Sequence, residues 1–98
     1  MDFETPSKTG FTVYSKSGCP NCSTIKKLLK DKNLIFNVVD CDEYIIEDKE
    51  NFLLFIKDLS QREEMKQFPI IFHDGIIVGG YSKTKEFIDK LFLSFEDI

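Results

Sequence analysis

The residues best suited to chemistry in this chain are Cys19-Pro20-Asn21-Cys22, placed where a short β-type run, Phe11 to Tyr14, gives way to a helix-type run. Two thiols three positions apart on the first turn of a helix share a face, close enough to form a small disulfide ring with little backbone movement. The pair can therefore pass between dithiol and disulfide. Unpaired N–H groups and the positive end of the peptide dipoles at a helix start favour thiolate over thiol at the first cysteine, so Cys19 is the expected nucleophile. The size of the effect matters. A free thiol with a pKa of about 8.5 is only a few per cent ionised at neutral pH, and CxxC settings lower that to roughly 3.5–7.5. A drop of two units is about 2.7 kcal/mol and leaves the nucleophile mostly ionised. Lys16, three residues before Cys19, can add positive charge at the same spot, and Pro20 suits the first helical position, which has no N–H partner to lose. The competing chemistry is half of a zinc site, but structural zinc wants four ligands. Cys41 and His73 are the other soft ligands, lie far apart and form no second pair. Redox chemistry is the favoured reading, with no metal and no tightly bound cofactor expected.

The elements that must hold this pair follow from periodicity. The first ten residues are polar, carry Pro6 and Gly10, and read as a frayed, flexible lead-in. Phe11-Thr12-Val13-Tyr14 alternates as a strand. From Pro20, the apolar positions Cys22, Ile25, Leu28 and Leu29 recur at three and four, an amphipathic helix that ends at Lys32-Asn33. Ile35 to Val39, nearly all apolar, reads as a strand buried in a sheet interior. This β-α-β order implies a parallel pair with a right-handed crossover. Asp40-Cys41-Asp42-Glu43 is acidic and turn-like. Phe52, Leu53, Phe55, Ile56 and Leu59 then trace one face of a second helix, and Ser60 to Gln67 adds a further helical turn. Ile70 to His73 and Ile76 to Val78 flank Asp74-Gly75, a strong hairpin signal. Gly79-Gly80 breaks that strand, Ser82 is the expected N-cap, and Phe87, Ile88, Leu91, Phe92 and Phe95 line the last helix. The order is β-α-β-α-β-β-α: an α/β fold with a four-stranded mixed sheet flanked by three or more helices.

Composition narrows the class. With 98 residues there is room for one domain, 1–98, with a single core. Hydrophobic content of 42% with ten Phe supports a packed interior, and 31% charged residues argues against disorder and membrane burial. A formal charge of −4 and a pI near 4.9 give no basic stripe for nucleic acid. No apolar run reaches a membrane span, and Met1 to Gly10 lacks the apolar core of a signal peptide. Three cysteines, an odd number, are no disulfide scaffold; a reducing cytoplasm is the default compartment, and a monomer is expected.

The strings Val13-Tyr14-Ser15-Lys16-Ser17-Gly18-Cys19-Pro20-Asn21-Cys22, Phe68-Pro69-Ile70-Ile71-Phe72 and Gly79-Gly80-Tyr81 resemble the three signatures of glutaredoxins, in order, over roughly Phe11 to Phe92. Within that family the chain is similar to the short glutaredoxin-like proteins of large DNA viruses and phages, which would place it in a host cytoplasm. The resemblance implies a thioredoxin-like fold and a thiol-disulfide oxidoreductase that reduces protein disulfides and glutathione mixed disulfides, with glutathione as co-substrate. It implies that Cys19 attacks and Cys22 resolves, and that a cis peptide bond before Pro69 faces the pair. Phe68 would then present its main chain to an extended substrate, with no competing N–H from Pro69. It also implies that Lys16 meets one glutathione carboxylate, while Gly79, Gly80, Tyr81 and Ser82 form the seat for the other. Two departures stand out: Asn21 replaces the usual tyrosine, and Tyr81-Ser82-Lys83 replaces a segment that normally carries an aspartate. Client proteins implied by the resemblance include ribonucleotide reductase. Rival readings are a thioredoxin-like donor recycled by a flavin reductase and a non-catalytic glutaredoxin-fold module that bridges an iron–sulfur cluster or docks another protein, although cluster-binding relatives generally lack a proline at the position of Pro20. Cys41, among carboxylates that disfavour a thiolate, reads as structural, and His73 as a strand-end surface residue.

Overall fold

A computed structural model describes residues 1–61, 65 and 67–96, the side chains of 94–96 excepted. The described elements are β1 (Phe11–Ser15), α1 (Pro20–Asp31), β2 (Phe36–Asp40), α2 (Asp42–Leu59), β3 (Ile70–His73), β4 (Ile76–Gly79) and α3 (Tyr81–Glu96). They form one sheet in the order β2-β1-β3-β4. β1 runs parallel to β2 and antiparallel to β3, and β3 is antiparallel to β4. The sequence-read order is the observed one, and the expected thioredoxin-like fold is present. The expected turn of helix over Ser60 to Gln67 falls largely outside the described residues, as does the side chain of Phe95.

Alternation along β1 divides the core. Phe11 and Val13 join Ile25, Leu29, Ile71 and Ile88 on the face covered by α1 and α3. Tyr14 joins Val39, Cys41, Phe52, Ile56, Ile70 and Phe72 on the opposite face, under α2. Because every residue of β1 is buried, the strand is fixed from both sides, and the loop leaving it towards Cys19 starts from a rigid point. At the other end of the sheet, Asp74 and Gly75 both take positive φ, 52° and 84°, the geometry of a type I′ hairpin turn that Asp-Gly favours.

Four expectations need correction. The apolar run Ile35 to Val39 is not interior: β2 spans Phe36–Asp40 at the sheet edge, with Ile35 72% and Val38 42% exposed. Ile35 is held by its backbone instead. Its carbonyl accepts the Phe11 N–H at 2.9 Å and lies where a Cβ on Gly10 would come within 2.7 Å. The acidic stretch after β2 is a helix start rather than a turn, since Asp42 and Glu43 form the first turn of α2, where negative charge complements the dipole. Ser82 is not an N-cap. The Gly80 carbonyl accepts the Thr84 N–H at 3.1 Å, which makes Gly80 the cap and places Ser82 inside the first turn. The lead-in has no helix or strand, yet it is fastened down. Phe3 packs edge-on against Tyr44 and Phe52, the Tyr14 hydroxyl donates to the Glu4 carbonyl at 2.6 Å, and the Gly10 N–H donates to Asp74 Oδ1 at 2.7 Å.

Candidate active site

Cys19 is the N-cap of α1, with extended backbone (φ −115°, ψ 98°), and Pro20 opens the helix. This conformation turns the side chain back over the helix start, so that Cys19 Sγ accepts the Cys22 N–H at 3.2 Å. Cys19 and Cys22 are joined as a disulfide, with Cα atoms 5.2 Å apart. The two sulfurs are not equivalent. Cys22 is 1% exposed and belongs to the buried face of α1, whereas Cys19 is partly open to solvent. Of the two sulfurs, only that of Cys19 is thus open to an external partner.

The loop from β1 to Cys19 is pinned to the start of α2. The Ser17 N–H donates to Asp42 Oδ1 at 2.8 Å, and the Ser17 hydroxyl makes a short hydrogen bond to Asp42 Oδ2. These two bonds, with Lys16 nearby, hold the Asp42 carboxyl below the usual carboxylate range. Gly18 follows with φ of 67°, and a Cβ there would meet nothing within 4 Å, so its backbone conformation rather than crowding calls for glycine. From the opposite side, the bond between Phe68 and Pro69 is cis, and the Phe68 carbonyl O lies 3.6 Å from Cys19 Sγ. The Phe68 ring stacks on Phe52 at 6.3 Å, with Lys16 Nζ 5.9 Å from its centre.

Two adjoining clefts result. One, of about 380 Å³, is lined by Lys16, Gly18, Cys19, Pro20, Asn21, Gln67 and Phe68. The other, of about 420 Å³, is lined by Asn21, Met65, Gln67, Phe68, Pro69, Gly80 and Tyr81. Of the residues singled out by sequence, Lys16, Cys19, Asn21, Phe68, Pro69, Gly80 and Tyr81 thus meet around the pair, with Cys22 behind it. Gly79 and Ser82 do not line either cleft. Gly79 is buried with φ of 134°, and a Cβ would press on Lys83 at 2.8 Å, so its role is to let the chain turn into α3. Sequence reasoning missed Gln67 and Met65, whose only signal was proximity to Phe68-Pro69. It also missed Asp42, whose contact with Ser17 spans 25 residues and leaves no local pattern. Cys41 is buried, and its thiol is pushed up to about 12, chiefly by burial, with Asp40 and Asp42 adding to the effect. His73 sits half-buried at the far end of β3, its ring 4.5 Å from that of Phe11. No metal-binding group of three or more His, Cys, Asp or Glu occurs among the described residues, and none of their helices is long and apolar enough to cross a membrane.

A dithiol helix start facing the proline that opens a central antiparallel strand defines a CxxC protein of the thioredoxin-like fold. Within that class, residues 11–78 match the Glutaredoxin family model, and the chain belongs to that family. It is 32% identical over 68 residues to glutaredoxin 1 of Rickettsia felis, an alignment covering 69% of this chain and 61% of that relative. Among solved structures, the holo form of glutaredoxin C1 from Populus tremula x tremuloides superposes with a TM-score of 0.69 at 25% identity, covering 93% of this chain and 87% of that one. A buckwheat glutaredoxin–glutathione complex superposes at 0.64 with 22% identity, covering 78% and 64% of the two chains. The chain spans about half to three fifths of the length of the first curated relatives it matches.

Proposed function

We propose that this protein reduces protein disulfides and glutathione mixed disulfides through Cys19 and Cys22, with glutathione restoring the dithiol. The observation that carries the reading is the unequal disulfide at the start of α1, with Cys19 open and receiving an N–H while Cys22 is buried. In the reduced protein the same N–H stabilises a Cys19 thiolate. The thiolate attacks one sulfur of the substrate disulfide, and the other leaves as a thiol after taking a proton. Cys22 then attacks Cys19 Sγ, the first substrate sulfur departs, and two electrons have passed from protein to substrate. A glutathionyl group on Cys19 would lie in the two clefts, one carboxylate towards Lys16 and the other towards Gly80 and the start of α3, where free N–H groups favour an anion. Asn21 offers a hydrogen bond there but no charge. A buckwheat glutaredoxin of the same fold is found in complex with glutathione, which supports glutathione as the co-substrate. The cycle requires a reducing compartment such as the cytoplasm.

A glutathione and glutathione-reductase coupled assay with a small glutathione mixed disulfide tests the proposal. Cys19→Ser should abolish turnover. Cys22→Ser should keep most of it while losing protein-disulfide reduction, because a mixed disulfide on Cys19 can be cleared by glutathione directly. Turnover that survives Cys19→Ser, or that does not depend on glutathione, would overturn the reading.

A further inference from the structure

Beside the Cys19 cleft lies a third depression, of about 200 Å³, lined by Lys16, Ile45, Lys49, Leu53 and Phe68. Ile45, Lys49 and Leu53 of α2 line it together, and Lys49 and Leu53, four apart, share a helical face. Asp48, with non-helical φ of −154° and ψ of 52°, bends the helix between Ile45 and Lys49. The floor is apolar: Ile45, Leu53 and Phe68 are half-buried, and Ile45 and Phe68 rest on the Phe52 cluster. The rim is cationic, formed by the exposed Lys16 and Lys49, and no carboxylate lines it among the described residues.

Size and chemistry select the occupant. Pockets for whole small molecules usually hold about 300–1,000 Å³, so this depression suits one side chain of a larger partner. A free anion would leave Ile45 and Leu53 uncovered, and a basic segment would meet two ammonium groups. Lys16 and Phe68 also line the Cys19 cleft, so the depression adjoins it. In an extended segment, residues two apart point the same way and stand about 6.6 Å from one another.

We propose that this depression docks the segment flanking the reactive cysteine of a client protein, selecting an apolar side chain two residues from that cysteine and a carboxylate next to it. The apolar side chain covers Ile45, Leu53 and Phe68, while the carboxylate, on the next residue of the extended segment, points outward to the rim, where it is met by the exposed Lys49 and Lys16. The inference rests on the thiol-disulfide exchange proposed above and adds a preference among protein disulfides. The exchange itself is balanced by the protein alone: the dithiol gives two electrons and two protons to the client disulfide and becomes the Cys19–Cys22 disulfide.

Single-turnover mixing of the reduced protein with two symmetric peptide disulfides tests it. Each peptide has a central cysteine with Gly on both sides, followed outwards by Leu and Glu in one peptide and by Ser and Gln in the other, so chain direction does not matter. The Leu–Glu peptide should be reduced about tenfold faster, and its advantage should shrink in 1 M salt, where the screening length is about 3 Å. In Lys49→Glu and in Leu53→Gln the ratio of the two rates should fall to about twofold or less. Because the ratio is taken within one protein, general losses of reactivity cancel. A ratio near one in the parent protein, with bis(2-hydroxyethyl) disulfide reduced normally, would overturn the docking site and leave the exchange chemistry standing. A ratio that survives both substitutions would overturn it as well. Failure to reduce even the small disulfide would remove the exchange reading on which it rests.

Discussion

Cys19 and Cys41 hold matching places in the chain. Each comes after one strand of the parallel pair, and each is the N-cap of the next helix. Their environments are opposite. Cys19, with extended backbone, turns its sulfur back to the Cys22 N–H and faces solvent. Cys41 has φ of −100° and ψ of 3°, makes no side-chain cap, points its thiol at the Val39 carbonyl at 3.5 Å and is 0% exposed. A helix start is therefore not sufficient to make a reactive thiol. The cap conformation decides whether sulfur meets the free N–H groups, and exposure decides whether a charge there is tolerated.

The largest effect expected from this contrast is in alkylation. The exchange proposed above requires a mostly ionised Cys19. With Cys41 near 12, the thiolate fraction of Cys41 at pH 7 is then about five decades lower, and the greater nucleophilicity of the more basic thiolate returns roughly two of them. Reduced protein treated with iodoacetamide at neutral pH should be modified at Cys19 more than about a hundredfold faster than at Cys41, even before access is counted. Peptide mapping by mass spectrometry reads the ratio. Comparable rates at the two sites would break the contrast.

The shield over Cys41 can also be removed. Phe52 is fully buried in the same cluster and lies against the rings of Phe3, Tyr14, Tyr44, Phe55 and Phe68. Phe52→Ala should cost about 3–5 kcal/mol in urea unfolding, the range for emptying a buried aromatic site. It should speed alkylation of Cys41 far more than that of Cys19. An equal acceleration at both would mean that Phe52 supports the whole fold without protecting Cys41 in particular.

A smaller effect should appear at alkaline pH. Burial raises Cys41 from 9.0 to about 12 and also raises Tyr14. The folded state then keeps protons that the unfolded chain releases, so their contribution to stability is complete below the unfolded values and is lost as pH climbs through the folded ones. Stability should decline from about pH 9 towards pH 12, and Cys41→Ala should flatten part of that decline in denaturant titrations. An unchanged slope would assign the loss to Tyr14 alone.

These environments were only partly legible in sequence. Element order was readable because apolar periodicity and the Asp74-Gly75 turn are local signals. The dithiol was readable because its chemistry needs residues three apart. Strand order was not, because an apolar run such as Ile35 to Val39 looks the same at an edge as in a sheet interior; pairing with β1 on one side only decides the matter. Asp42 and Glu43 read as a turn because acidic residues mark turns and helix starts alike. The anchoring of the lead-in through Phe3 and Tyr14, and the grip of Asp42 on Ser17, depend on contacts between distant segments. Cys41 was read as structural from its acidic neighbours, and burial proves to be the larger cause.

Asp42 joins the two halves of the comparison, and the smallest expected effect belongs to it. Its backbone begins the helix that Cys41 caps, while its carboxylate holds Ser17 in the loop that leads to Cys19. Ser17 and Lys16 lower its pKa. The stabilisation is thus present above the ordinary carboxylate range and is lost as pH falls through the folded value. Asp42→Asn removes the charge and keeps a hydrogen-bond acceptor, so it should lower the melting temperature slightly at pH 7 and match the parent in acid, where both side chains are neutral. Being exposed, the contact should also weaken with added salt. The same substitution takes a carboxylate away from Cys41, whose alkylation should rise a little at high pH, while Cys19 should lose some reactivity as its loop loosens. Opposite changes at the two thiols from one substitution are the expected signature. Changes of the same sign would show that Asp42 acts on general stability instead of on the two helix starts separately.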